Sequence, residues 1–212
     1  MPYIAKLTAG ETPSRDSIGG YPFLPVSMKW PICAKSGQPM VLFFQLDVRP
    51  EFGLSLAAGT HLAVFTSPVV NDIATRDQVR DGQPLPAKFW ETRPEHFKTF
   101  VFGPDVALVA QAEPDRFLVH AHLAFEKNDD PRDPFLVIGG APRWYQDPET
   151  HPGFDFVCQL SEGFPFEKRA EAPKQPFTFS NDAYALFLGN SSYFFTRPEP
   201  LDEEEVWVVL QN

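Results

Sequence analysis

Apolar positions in this chain come in short runs rather than long periodic stretches. Residues 41–48 (VLFFQLDV) lie between Pro39 and Pro50, and residues 61–66 (HLAVFT) are entered through Gly59. Runs of about four to eight apolar, β-branched and aromatic residues between turn formers predict buried strands. The same reading places strands at 97–102, 106–111 and 116–125, separated by Gly103-Pro104 and Glu113-Pro114-Asp115, which predicts a meander. Further strands are predicted at 154–160 (FDFVCQL), 178–188, 192–196 and 206–211, the last led in by the acidic run 202–205. One short helix is predicted over 71–81, with Asp72 as its N-cap and Gly82 as its stop. Residues 1–17, small and polar with Gly10, Pro13 and Ser14, read as an arm or loop, and the charged, proline-bearing stretch 163–176 reads as another loop.

The pattern repeats. Ile18-Gly19-Gly20-Tyr21-Pro22 returns as Ile138-Gly139-Gly140-Ala141-Pro142, and each copy precedes an apolar run that carries a Gln-Leu pair, Gln45-Leu46 and Gln159-Leu160. A third echo follows in the same order, Gly59 leading to Phe65-Thr66-Ser67-Pro68 and Gly189 to Phe195-Thr196-Arg197-Pro198. Three ordered echoes with loop-sized changes in spacing predict an internal duplication. The polar, proline-broken stretch 126–134 (EKNDDPRDP) is the expected connection, which divides the chain into halves 1–130 and 131–212, tightly associated as one compact unit. The predicted fold class is mainly β, a β-rich α+β chain of two similar sheet halves with few short helices.

Each repeat opens with a stiff loop. Pro22, Pro25, Pro31 and Pro39 exclude a regular helix over 18–39 and suit an extended wrap, or collar, over a sheet, anchored by Tyr21, Phe23 and Trp30. Gly19, Gly20, Gly139 and Gly140 read as positions of positive φ or close backbone approach, with Pro22, Pro25 and Pro142 fixing the exits. They do not make a phosphate loop, because no Lys-Ser/Thr pair or helix-opening glycine follows. Gln45 inside an apolar strand needs partners for its carbonyl and its NH2 group, and the preceding proline-rich loop is the expected source. The collar residues Tyr21, Phe23, Trp30, Trp144 and Tyr145, with Gln45, Gln146 and Gln159, form the candidate binding set. Rigid aromatics beside proline turns can grip a peptide, and they can equally roof a sheet.

Composition narrows the class. The 212 residues include 21 Phe and 23 Pro, which favours pleated strands and stiff turns. A formal net charge of −10 and a pI of about 4.9 repel phosphate backbones and anionic membranes, so neither nucleic acid nor membrane is an expected partner. Cys33 and Cys158 are too few for a disulfide framework, and the opening residues lack the apolar stretch of a signal peptide, so a cytoplasmic protein is expected. His120 and His122 stand two apart in a predicted strand and would share one face, but no third metal ligand is evident. Cys33 and Ser36 occupy the spacing of a Cys-x-x-Cys pair that lacks its second thiol. No nucleophile elbow or zinc-protease helix is present, and no catalytic set, metal or cofactor is expected.

The order Gly19-Gly20-x-Pro22-x-Leu24-Pro25, Trp30-Pro31, Pro39-Met40, Gln45-Leu46-Asp47, then Gly139-Gly140-x-Pro142-x-Trp144-x-Gln146-Asp147 and Gln159-Leu160, resembles the bacterial YwqG-like family over most of the chain. That family is related to the carboxy-terminal domain of the eukaryotic programmed-cell-death-two proteins, chaperones of ribosome biogenesis. The resemblance implies a duplicated β-rich fold, no established enzymatic activity, and protein binding of a chaperone-like or immunity type. Many relatives carry paired cysteines near both Gln strands, whereas here only Cys33 matches and His151-Pro152-Gly153 stands at the second place. A metal-stabilised form is therefore not implied for this chain. The expectation is a non-enzymatic protein-binding module that receives a protein client, suited in charge to a basic one, in a cleft between the repeats. The rival is a small-ligand or metal-binding enzyme using the same cleft through His120, His122 or the glutamines. Oligomeric state is open at this level.

Overall fold

The computed structural model describes residues 1–34, 36–67, 97–114, 116–128, 134–175, 181–200, 202–203 and 205–211. The predicted helix at 71–81 lies outside them. The strands are β1 (Tyr3–Ala9), β2 (Ser17–Ile18), β3 (Phe23–Pro25), β4 (Val41–Asp47), β5 (His61–Thr66), β6 (Phe97–Phe102), β7 (Leu108–Ala110) and β8 (Ala121–Lys127). After the connection follow β9 (Leu136–Ile138), β10 (Asp155–Leu160), β11 (Pro165–Glu167), β12 (Ala183–Ala185), β13 (Ser191–Thr196) and β14 (Val206–Gln211). Helical turns among the described residues are the 3-10 segments Pro50–Phe52 and Leu186–Gly189. The molecule is mainly β.

Ten strands form one sheet in the order β14-β13-β10-β9-β1-β8-β2-β4-β5-β6. Its edges approach each other, the Val101 amide of β6 donating to the Glu203 carbonyl just ahead of β14 at 2.8 Å, so the sheet is nearly closed into a barrel. Near-closure shortens the unpaired edge that an open sheet would expose. The sheet is continuous across the connection, with β1 pairing β8 on one side and β9 on the other.

Residues 1–17 do not form the expected arm or loop, because β1 is a central strand of the sheet. Only Ile4 and Ala5 of β1 are buried, which is why its side chains gave no signal. Its place is set by backbone bonds on both sides, including a seven-residue register with β8 from Tyr3↔Lys127 to Ala9↔Ala121. The predicted strand at 116–125 also changes. It joins the sheet only at Ala121, because its earlier backbone pairs elsewhere: Val119 donates to the Glu167 carbonyl and Arg169 donates to the Phe117 carbonyl. The stretch 106–111 shrinks to β7, which pairs with β3, and the loop expected at 163–176 contains β11, paired with β12. Of the strand expected over 178–188, the described residues 181–188 form β12 at Ala183–Ala185, and the chain then turns through Phe187, at φ 46°, and Gly189, at φ 86°.

Two flanks repeat one pairing scheme around the central β1 and β8: β2-β4-β5-β6 on one side and β9-β10-β13-β14 on the other. Ser17 faces Gln45 and Ile18 faces Phe44, while Val137 faces Gln159 and Ile138 faces Cys158. Both glutamine strands carry a register break one residue before these pairs, at Phe43 and at Val157. The amides that follow, Gly19 and Gly139, donate to the carbonyls of those two bulged residues at 3.2 and 2.9 Å. Gln45 and Gln159 thus occupy matching positions. Because β1, β8 and β2 pair antiparallel in succession and β9 is antiparallel to β1, β2 and β9 run in opposite directions. The two collars therefore leave the sheet at opposite ends.

The largest core fills the barrel, where Phe44 of one flank meets Phe194 of the other edge to face at 5.5 Å. Alternation along β5 sends Leu62 and Val64 into that core and Ala63 and Phe65 to the opposite face. There the first collar covers a second cluster with Leu24, Met40 and Trp30, and the second collar covers a third built on Tyr193, Phe195 and Val209.

Candidate functional site

The first collar is fastened by Gln45, whose side chain is fully buried. Its Nε2 donates to the carbonyls of Ser14 and Tyr21, both at 2.8 Å, and lies 2.9 Å from Ser17 Oγ, while Oε1 accepts from the Phe23 amide at 2.9 Å. Behind it stands His61, whose Nε2 is 3.2 Å from Gln45 Oε1 and whose Nδ1 is 2.8 Å from Asp47. Asp47 also pairs with Arg15, and the neighbouring Asp16 accepts from the Asp47 amide and pairs with Arg49. Both acceptors of His61 are oxygens, so only the imidazolium would donate to both. Burial nevertheless pushes the His61 pKa below its ordinary value of 6.5, against the pull of Asp47.

The second collar uses the same device with different parts. Gln159, 8% exposed, accepts from the Arg143 amide at 2.9 Å and donates to its carbonyl at 3.1 Å. Two residues of predicted strands that the candidate set left out complete the hold. The Tyr193 hydroxyl accepts from the Tyr145 amide and donates to the Arg143 carbonyl, both at 2.9 Å. Gln211 Oε1 accepts from the amides of Tyr145 and Gln146 at 3.0 Å, and its Nε2 donates to the Asp147 carbonyl at 2.9 Å. The signal for Gln211 was the one used for Gln45, a glutamine at a buried position of an otherwise apolar strand.

The candidate set now divides. Gln45 and Gln159 are buried ties, with their polar atoms engaged inside the chain. Trp30 donates to the Met40 carbonyl and stands edge-on to Phe65, and Trp144 stacks on Tyr193 with centroids 4.6 Å apart, so both rings roof the sheet. Phe23 is half-buried between Arg15 and His61. Gln146 is exposed and held through its backbone, and Tyr145 is 64% exposed. Gly19, Gly20, Gly139 and Gly140 all take positive φ. At Gly20 a Cβ would also lie 2.6 Å from the His120 ring, and at Gly139 it would lie 2.6 Å from the Phe52 carbonyl oxygen. Pro22 is buried, whereas Pro25 and Pro142 are half-buried.

Tyr21 borders a cavity of about 370 Å³ whose walls include Gly20, Glu11, Arg116, His120 and Arg169 and no residue of the second collar. The Arg116 guanidinium lies over the Tyr21 ring, 4.9 Å from its centroid, and donates to the Tyr21 hydroxyl at 3.0 Å. His120 meets the edge of Tyr21 and stands 5.1 Å from the His122 ring. The Nε2 atom of His120 is buried without a hydrogen-bond partner, whereas His122 Nε2 lies 2.8 Å from the Thr12 carbonyl. Burial first, then His122, Arg116 and Arg169, hold the His120 pKa below its ordinary value. Among the described residues no three His, Cys, Asp or Glu side chains are grouped to hold a metal ion, and no helix is long and apolar enough to cross a membrane. Cys33 and Cys158 are buried free thiols, and burial raises the pKa of Cys158.

No family model and no curated protein matches this chain.

Proposed function

We propose that this chain is a non-enzymatic protein-binding module, chaperone-like or immunity-type, that receives a basic protein client on its second collar. The observation that carries this reading is Tyr145, 64% exposed while its backbone amide is held by both Tyr193 and Gln211. A large ring on a fixed backbone loses little freedom on binding, which is how aromatic anchors contribute most of an interface's energy. The carboxylates of Asp147 and Glu149 stand in the same loop, and the whole chain carries −10, so the approach of a cationic partner is favoured. The YwqG-like resemblance points the same way, and the matched register of Gln45 and Gln159 supports descent of the two flanks from one duplicated unit. We place the activity in the cytoplasm, where two free thiols remain reduced.

Affinity capture from host lysate at low salt tests this reading. The intact chain is expected to retain a basic protein in stoichiometric amount. Tyr145→Ala is expected to weaken that complex by about 2 kcal/mol, roughly thirtyfold, and Asp147→Lys to weaken it more at low salt than at high. Absence of a partner, or a partner held equally by both variants, overturns the proposal.

A further inference from the structure

We infer that the cavity beneath the first collar is a binding site for a compact oxyanion, a phosphoryl or carboxylate group of a small molecule, held by Arg116, Arg169 and His120. The two arginines come from separate parts of the chain, one ahead of β8 and one just after β11, and converge on one cavity. Their state differs from that of other arginines in this acidic protein. Arg15, Arg49 and Arg197 each pair with a carboxylate, of Asp47, Asp16 and Glu205. Arg116 instead leans on a tyrosine ring, and Arg169 has no side-chain partner among the described residues. A guanidinium fork is the usual partner of a carboxylate or phosphate, and two of them beside a cavity supply the charge such a group needs.

His120 adds an imidazole whose Nε2 donates in the tautomer that carries its proton there. Its Nε2 is buried and unpartnered, and a buried polar nitrogen without a partner is uncommon enough to call for one. After burial and His122, both arginines also lower its proton affinity, and all three groups line the same cavity. Gly20 keeps His120 in place, since any side chain there would strike its ring. The opposing charge in the wall is Glu11, which competes with a ligand for the guanidinium groups. The residues of this site are not those of the proposed client surface, so one reading can fail without the other.

Titration with inorganic phosphate, and separately with acetate, is the test, followed by calorimetry and by the ring nitrogen resonances of His120. Saturable binding is expected with a Kd of about 1 mM or tighter, accompanied by a shift of the His120 Nε2 signal. Arg169→Ala and Arg116→Ala are each expected to weaken it at least roughly tenfold, and Glu11→Gln to strengthen it. Because both arginine side chains are exposed, thermal melting of the variants checks that they stay folded. Tighter phosphate than acetate assigns the phosphoryl class, and the reverse assigns a carboxylate. No saturation by either anion, or saturation unchanged in the Arg116→Ala, Arg169→Ala double variant, overturns the inference.

Discussion

The two collars use one backbone solution and present different chemistry. Each has a positive-φ glycine pair whose first amide bonds to a bulged strand residue, and a buried glutamine two residues beyond that bulge. What lies outside that clamp diverges. The first collar borders a cavity with two arginines and a histidine, whereas the second holds out Tyr145 beside Asp147 and Glu149. The comparison separates residues that hold a loop from residues that face outward, which the sequence echoes alone had merged into one candidate set.

The clamps differ in reach, and the largest expected effect tests that difference. Gln45→Leu strips partners from the Phe23 amide, from the carbonyls of Ser14 and Tyr21 and from His61 Nε2, whereas Gln159→Leu strips the Arg143 amide and leaves the Arg143 carbonyl bonded to the Tyr193 hydroxyl. At about 1–3 kcal/mol for each buried group left unpaired, with partial rescue by water, Gln45→Leu is expected to cost about 3–5 kcal/mol. Gln159→Leu should cost about half of that, because Tyr193 and Gln211 still hold the second collar. Urea denaturation of both variants gives the order. Equal losses would mean that the collars are fastened alike.

A smaller contrast comes from the glycines. Gly139→Ala sets a Cβ against a backbone oxygen that cannot rotate away, with φ at 68°, and is expected to cost about 2–4 kcal/mol. Gly20→Ala meets a histidine ring that can move, so a loss nearer ~1–2 kcal/mol is expected, together with displacement of His120 seen in its ring resonances. Thermal melts in which Gly20→Ala is the more damaging would show that the first collar, not the second, is the tightly fitted one.

How much of this was legible in the sequence follows from where the information lay. The strands β4, β5, β6 and β14 were readable because both of their faces are largely covered and their side chains are apolar. Central β1 was not, since Lys6 and Thr8 are exposed and the backbone ladder that places it leaves no side-chain pattern. Gln45 could be read as a tie because a lone amide in an apolar run has few alternatives. The pairing of Arg116 with Arg169 at one cavity could not be read, because both sit in irregular segments whose meeting depends on the bonds between 117–119 and 167–169. A groove shared by both collars was expected from repetition, but the opposite directions of β2 and β9 send the loops apart.

The smallest contrast is in pH. His61 belongs to the first clamp, and its pKa is lowered by burial, so the unfolded chain takes up a proton before the native one does. Its contribution is intact above 6.5, the ordinary value, and is lost as pH falls from there toward the folded pKa. Glu149 in the second collar carries the opposite sign. Burial raises its pKa above 4.5 against the Gln211 hydrogen bond, so its contribution is present below 4.5 and is lost as pH rises through the folded value. Acidification from neutral therefore weakens the first collar while relieving the second. The stability slope from His61 is at most about 1.4 kcal/mol per pH unit, and His61→Gln, which can still bond to Asp47, is expected to flatten the loss below 6.5. His120, shifted the same way, leaves a residual slope in that variant. Urea midpoints across this range that are unchanged by His61→Gln would show that the buried imidazole is not what couples the first collar to protons.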